Sequence, residues 1–166
     1  MRKAVRVLAE ANIPSPGGYA VQENGYARFT SDVANVVPNV AEARSVLTIN
    51  GFRENPGSSM TVTDRNSKVE VDLLPGGRSV GPGPLKLPMP VGVSTQPTIA
   101  DLRTLVEIKL SSYLGSPISR NQDLSDVIAL IKSHQMPEDF ALNDAVDGKY
   151  REVWSNLKEE GRRFPA

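Results

Sequence analysis

Two glycines and two carboxylates bear the chemistry that this 166-residue sequence could support. Gly17 and Gly18 open the stretch GGYAVQENGYARFTSDVA, which runs to Ala34 and carries Arg28, Thr30 and Asp32 at a spacing of two. Side chains alternate across a strand, so these three share one face. Asp72, in VEVDLL, is the distant second carboxylate. A glycine-started helix presents free amide groups and a positive dipole end, and a strand-borne carboxylate beside it supplies hard oxygen. Together they are one way to hold a polyphosphate and its magnesium. A plainer reading exists for each residue. Proline followed by glycine, as at Pro16-Gly17-Gly18, is a common turn signal, Asp32 can be a surface residue on a half-exposed strand, and Arg28 and Thr30 can pair with it. Asp72 stands among Val71, Leu73 and Leu74, in a mostly buried strand where a carboxylate needs a partner or a metal.

Composition narrows the chemistry further. Lysine plus arginine equals aspartate plus glutamate at 19 each, so no global field draws the chain to nucleic acid or to an anionic membrane. No segment approaches the roughly 18 consecutive apolar residues of a membrane span, and Met1-Arg2-Lys3 leads into an amphipathic stretch, which places the chain in the cytoplasm. There is no cysteine and a single histidine, His134. Disulfides, thiolate zinc sites and cysteine nucleophiles are excluded, and a histidine-based triad is disfavoured. Carboxylates, hydroxyls, lysines and arginines remain, and any metal they bind is of the magnesium type.

The elements that must position these groups follow from periodicity. Val5, Leu8 and Ala11 predict a helix over residues 2 to 11, ended by Asn12-Ile13-Pro14. Pro14 and Pro16 leave room for at most a very short strand before the glycines. One or two helical turns then reach Gly25, and the alternation from Arg28 to Val37 predicts a strand stopped by Pro38. Val40, Ala43, Val46 and Leu47 predict a helix from Val40 to Asn50 capped by Gly51. Ser59 to Thr63 and Lys68 to Leu74 read as a hairpin around Asp64-Arg65-Asn66-Ser67. Residues 75 to 97, rich in proline and glycine, read as irregular, with a short strand at Val91 to Ser94. Thr98-Ile99-Ala100-Asp101 reads as a capping box for a helix that reaches about Tyr113 and breaks at Gly115-Ser116-Pro117. Helices from about Asn121 to Ser133 and Leu142 to Glu160 follow. Arg120, Asp123 and Asp126 fall near a helix start, which suits the dipole without a catalytic role, and His134 falls near the end of that helix. Tyr150 and Trp154, four apart, read as core. Strands mixed with helices, followed by helices alone, predict an α+β domain built on a small mixed sheet.

The segments GGYAVQENGYARFTSDV (17 to 33), NGFRE (50 to 54), VEVDLL (69 to 74), LVEIKLSS (105 to 112) and RNQDLSDVIALI (120 to 131) resemble, in order, the nucleotidyltransferase superfamily with a DNA polymerase beta-like palm. The likeness is to its minimal bacterial form, related to abortive-infection and toxin-antitoxin proteins. The resemblance implies a single domain over residues 1 to 166, with 1 to 97 as palm and 98 to 166 as a helical extension. It implies that Gly17 and Gly18 contact phosphate, that Asp32 is the first metal ligand and Asp72 the third carboxylate, and that Arg28, Thr30 and Lys109 are candidates for the nucleotide. The family pattern has a second aspartate two residues after the first, where this chain has Ala34. Glu70, two residues before Asp72, is the candidate replacement ligand.

Two functions fit these residues. One is transfer of a nucleoside monophosphate from a magnesium-bound nucleoside triphosphate to a hydroxyl on RNA, protein or a small molecule, weakened or lost through Ala34. The other is a non-catalytic nucleotide-sensing or protein-interaction module on the same fold, with a possible cognate protein partner and with magnesium weakly held or absent.

Overall fold

The computed structural model describes residues 2–14, 32–79, 81–93 and 101–163. They form two compact units. The first contains α1 (Arg2–Glu10), β1 (Asp32–Val37), α2 (Val40–Ile49), β2 (Phe52–Asn55), β3 (Ser58–Asp64) and β4 (Glu70–Pro75). The second contains α3 (Leu102–Gly115), α4 (Asn121–His134) and α5 (Asp144–Arg163), together with residues 79 and 81–85. The fold is α+β, with a mixed sheet of order β1-β4-β3-β2. β1 runs parallel to β4, while β4 with β3 and β3 with β2 are antiparallel.

One face of the sheet is largely apolar, with the buried Asn35 of β1 and Asp64 of β3 as polar members. Val37, Leu73, Val71, Val62 and Phe52 are buried with Ala4, Val7 and Leu8 of α1, Ile13, and Ala43 and Leu47 of α2. Pro38 ends β1, and Asn39 starts α2 by accepting the amides of Ala41 at 3.0 Å and Glu42 at 3.2 Å. Gly51 adopts φ +92 after the helix, as its predicted capping position requires. Lys3 of α1 reaches the far end of β3, where its Nζ lies 2.7 Å from Asp64 Oδ1 and 4.8 Å from the centroid of the Phe52 ring. Asp64 also accepts from Ser67 Oγ at 2.9 Å. These donors, Lys3 above all, hold its carboxyl at about 2 against burial, which acts the other way.

The helical unit has its own core from α3 to α5, including Leu105, Val106, Leu110, Val127, Leu130, Val146 and Tyr150. Tyr150 Oη donates to Pro137 O at 2.7 Å, and Trp154 Nε1 donates to Met136 O at 2.9 Å. The predicted aromatic pair therefore packs inward and satisfies two carbonyls of the link between α4 and α5. Burial, reinforced by Asp139 and Asp147, pushes the Tyr150 phenol up to about 12, so it remains a donor throughout the working pH range. Residues 81–85 lie against α3. Leu85 N donates to Ser111 Oγ at 2.9 Å, and a Cβ on Gly83 would clash with Ser111 O.

Several sequence expectations shift. β2 falls in FREN, to which periodicity assigns no element, because four residues with two charges carry almost no strand signal. The β3–β4 loop is longer than the four residues expected: Thr63 pairs with Glu70, and Lys68 takes φ +61 inside the turn. The cap of α3 is Asp101 itself, which accepts from Thr104 N at 2.9 Å and Thr104 Oγ1 at 2.8 Å, and these bonds lower its pKa. The box therefore starts three residues later than expected. Residues 91–93 form no strand. α5 begins after Asn143, whose side chain accepts from Ala145 N at 3.0 Å. Residues 28–31 of the expected first strand and the turns expected at 19–25 lie outside the described residues. No described helix is long and apolar enough to cross a membrane.

Asp64 yields a pH prediction. Its folded pKa lies below the ordinary 3.8, so the stabilisation is present above about pH 4 and is lost as pH falls towards 2. Asp64→Asn should lower stability at pH 7 by about 1 kcal/mol, after allowance for solvent access to Lys3, and should flatten the acid limb of a pH–urea stability curve. An unchanged acid limb would remove Asp64 as its cause.

Candidate functional site

The face of the sheet opposite the α1–α2 core is polar, and strand register determines its composition. In the parallel β1–β4 ladder Asp32 is paired with Glu70 and Ala34 with Asp72; in the antiparallel β3–β4 ladder Thr61 is paired with Asp72 and Thr63 with Glu70. Paired residues lie on the same side of a sheet, about 5 Å apart between neighbouring strands. One row therefore reads Ala34, Asp72, Thr61. The next reads Asp32, Glu70, Thr63, and Arg53 of β2 extends it. Towards the ends of β1 and β4 the face turns apolar with the pair Val36 and Leu74.

Asp72 is half-buried, and its partner is a hydroxyl. Thr61 Oγ1 lies 2.7 Å from Asp72 Oδ1 and 3.0 Å from Ser58 Oγ. A hydroxyl carries one proton, and the shorter contact to an ionised oxygen is the stronger bond. Thr61 therefore donates to Asp72. Ser58 Oγ accepts in turn from Met60 N at 3.2 Å.

The predicted site residues fare differently. Asp32 and Asp72 come to adjacent strands, two residues out of register, with Asp32 at the register position facing Glu70. The side chain of Asp32, and the whole of Gly17, Gly18, Arg28 and Thr30, lie outside the described residues. Glu70 was the candidate to fill the gap left by Ala34, but the ladder assigns it to the row of Asp32, while Ala34 faces Asp72 directly. Among the described residues no three acidic or histidine side chains gather as a metal set.

Lys109 is committed within the helical unit. Its Nζ lies 2.8 Å from Asp123 Oδ1 and 2.7 Å from Asp126 Oδ2, and Gln122 Nε2 donates to Asp126 Oδ1 at 3.1 Å. Asp126 is fully buried. The dipole explanation for Asp123 and Asp126 is therefore insufficient: α3 packs on α4 so that the ammonium meets both carboxylates, and an ion pair is what makes a carboxylate tolerable at that depth. The lysine offered to a phosphate by resemblance is ion-paired with both aspartates of α4.

Sequence reasoning missed Thr61 and the burial of Asp126. The alternation of Thr61 and Thr63 was visible, but a hairpin loop of four residues sets Thr61 against Glu70 rather than Asp72. The spacing of Asp123 and Asp126 from Lys109 says nothing until two helices are packed.

No protein-family model and no curated protein matches the chain. Among solved structures it is similar to the antibiotic-resistance factor ANT(2'')-Ia, an aminoglycoside nucleotidyltransferase, with a TM-score of 0.55 over 98% of this chain and 95% of that one, at 12% identity. The likeness is one of fold. The sheet and its helices constitute a nucleotidyltransferase-like fold.

The position of Lys109 is testable. Lys109→Met should cost about 3 kcal/mol by leaving a buried carboxylate without its cation, read as a lower urea midpoint. Wild-type stability in that variant would instead release the lysine for a ligand role.

Proposed function

We propose that this protein is a nucleotidyltransferase-fold protein of the kind that transfers a nucleoside monophosphate from a magnesium-bound nucleoside triphosphate to a hydroxyl acceptor, with the transfer impaired or lost at position 34. The observation that carries the proposal is the pairing of Ala34 with Asp72. The residue facing the third carboxylate across the ladder, where the family pattern has its second aspartate, ends in a methyl group.

Glu70 and Asp72 offer hard oxygen of the right kind for magnesium, and one oxygen of Asp72 is taken by Thr61. A two-cation site needs carboxylates that bridge ions about 3.5 to 4 Å apart, and a methyl group supplies no lone pair. Among the described residues, no three acidic or histidine side chains make that set.

The second reading, a non-catalytic nucleotide-sensing or protein-interaction module, is favoured by the same hydrogen bond, since Asp72 has a partner within the fold and needs no cation for its stability. A cognate protein partner of the toxin-antitoxin kind and a cytoplasmic setting are parts of this proposal supported by the sequence resemblance and by the absence of cysteine. The acceptor class, whether RNA, protein or small molecule, remains open to assay.

Calorimetric titration with ATP and magnesium tests the reading. Ala34→Asp should tighten nucleotide binding by about tenfold or more, equivalent to at least about 1.4 kcal/mol, and Asp32→Asn should remove the gain. Unchanged binding in a folded Ala34→Asp protein would take position 34 out of the site.

A further inference from the structure

We infer that Asn50-Gly51, the junction between α2 and β2, is a site of spontaneous covalent modification. Asn50 deamidates through a cyclic imide, at a rate set by the opening of the α2 cap. The inference is independent of the proposed nucleotide chemistry and concerns how long the α2–β2 connection stays intact.

The reaction needs only water. The backbone nitrogen of Gly51 gives its proton to hydroxide and attacks Cγ of Asn50; the Cγ–Nδ2 bond breaks, and the amide leaves as ammonia with a proton from water. Water then opens the five-membered ring at either carbonyl. One opening gives aspartate, and the other gives isoaspartate, in which the chain runs through Cβ and Cγ. Gly51 suits the attack because it has no side chain to crowd its nitrogen, and Asn50 is exposed, so water reaches it.

The folded cap opposes ring closure. Asn50 Nδ2 donates to Val46 O at 2.8 Å, and Asn50 N donates to Val46 O at 3.2 Å and to Leu47 O at 3.0 Å. At ψ 26 the nitrogen of Gly51 is nearly eclipsed with that of Asn50, whereas the ring requires it to be eclipsed with Cβ. The chain must therefore rotate about the Cα–C bond of Asn50. That rotation breaks the bonds of Gly51, whose N donates to Thr48 O at 3.4 Å and whose O accepts from Arg65 N at 3.2 Å. The first of these is long, and helix ends are where local opening costs least.

Either product loses the donor to Val46 O and puts a carboxylate at the negative end of the α2 dipole. Isoaspartate also inserts a methylene into the chain two residues before Phe52, which is 1% exposed and paired with Asp64. The buried ring is then held by a connection of the wrong length.

Mass spectrometry of the wild-type, full-length protein at mildly alkaline pH, with and without unfolding concentrations of guanidinium chloride, tests the inference. Trypsin releases residues 45–53, SVLTINGFR, in which Asn50 is the only amide side chain. This peptide should gain the mass of an amide-to-acid conversion and split into two acids of equal mass. Conversion in the folded protein should be about 10 to 100-fold slower than in the unfolded chain. Asn50→Gln, which would have to close a larger ring, should leave the peptide unconverted. Equal rates in folded and unfolded chains overturn the role of the cap, and a folded protein that stays unconverted over that longer time overturns the site. The isoaspartyl form, separated by ion exchange, should have a lower urea midpoint than fresh protein. An unchanged midpoint overturns the consequence for β2.

Discussion

The parallel pairing of β1 with β4 is the constraint on which the polar face depends. It is a backbone contact between segments nearly forty residues apart, and it sets which side chains meet. Because side chains alternate with period two, a slip of one residue would turn Asp72 into the core and bring Leu73 to the polar face. The core prevents that slip. Val37, Leu73 and Val71 are buried against α1 and α2, and a one-residue slip would turn part of that set outward. The hydrophobic face thus determines which residues line the polar one, and the strand register brings Ala34 opposite Asp72.

That meeting gives the site its character. A carboxylate facing another carboxylate across a ladder is destabilised by repulsion unless a cation or a proton lies between them. A carboxylate facing a methyl group has no such need, and a single hydroxyl bond satisfies it. Thr61 is the hydrogen-bond partner that Asp72 has within the fold. The row of Asp32 and Glu70 differs, since its backbone register pairs two acidic residues. The two rows lie side by side on one sheet.

Elsewhere, buried charge is handled by pairing. Asp64 is held by Lys3 and by donors of its own turn, and Asp126 by Lys109. In both cases the acid and the base come from different elements, so each pair ties two elements of one unit together. Breaking such a pair costs more than it contributes when intact, because the stranded charge remains buried. This explains how a chain with equal numbers of acidic and basic residues can place aspartates inside both of its units.

Much of this protein was legible before any coordinates. The helices α1, α2, α3 and α4 follow from apolar periodicity and from Asn39, Gly51 and the Gly115-Ser116-Pro117 break. The β3–β4 hairpin follows from alternation, and the α+β class from the order of elements. The sequence also isolated Asp32, Asp72, Glu70 and Ala34 as the residues to watch, since a missing carboxylate is visible as a letter. Local patterns of this kind are decided by neighbours within a few residues, and the sequence contains those neighbours. Which residues face each other across strands and helices was decided only by tertiary structure: Ala34 with Asp72, Thr61 with Asp72, Glu70 with Asp32, Lys109 with Asp126. Each of these depends on a loop length, a strand register or a helix packing that is set by the burial of the whole apolar face at once, and no short stretch of sequence encodes that sum.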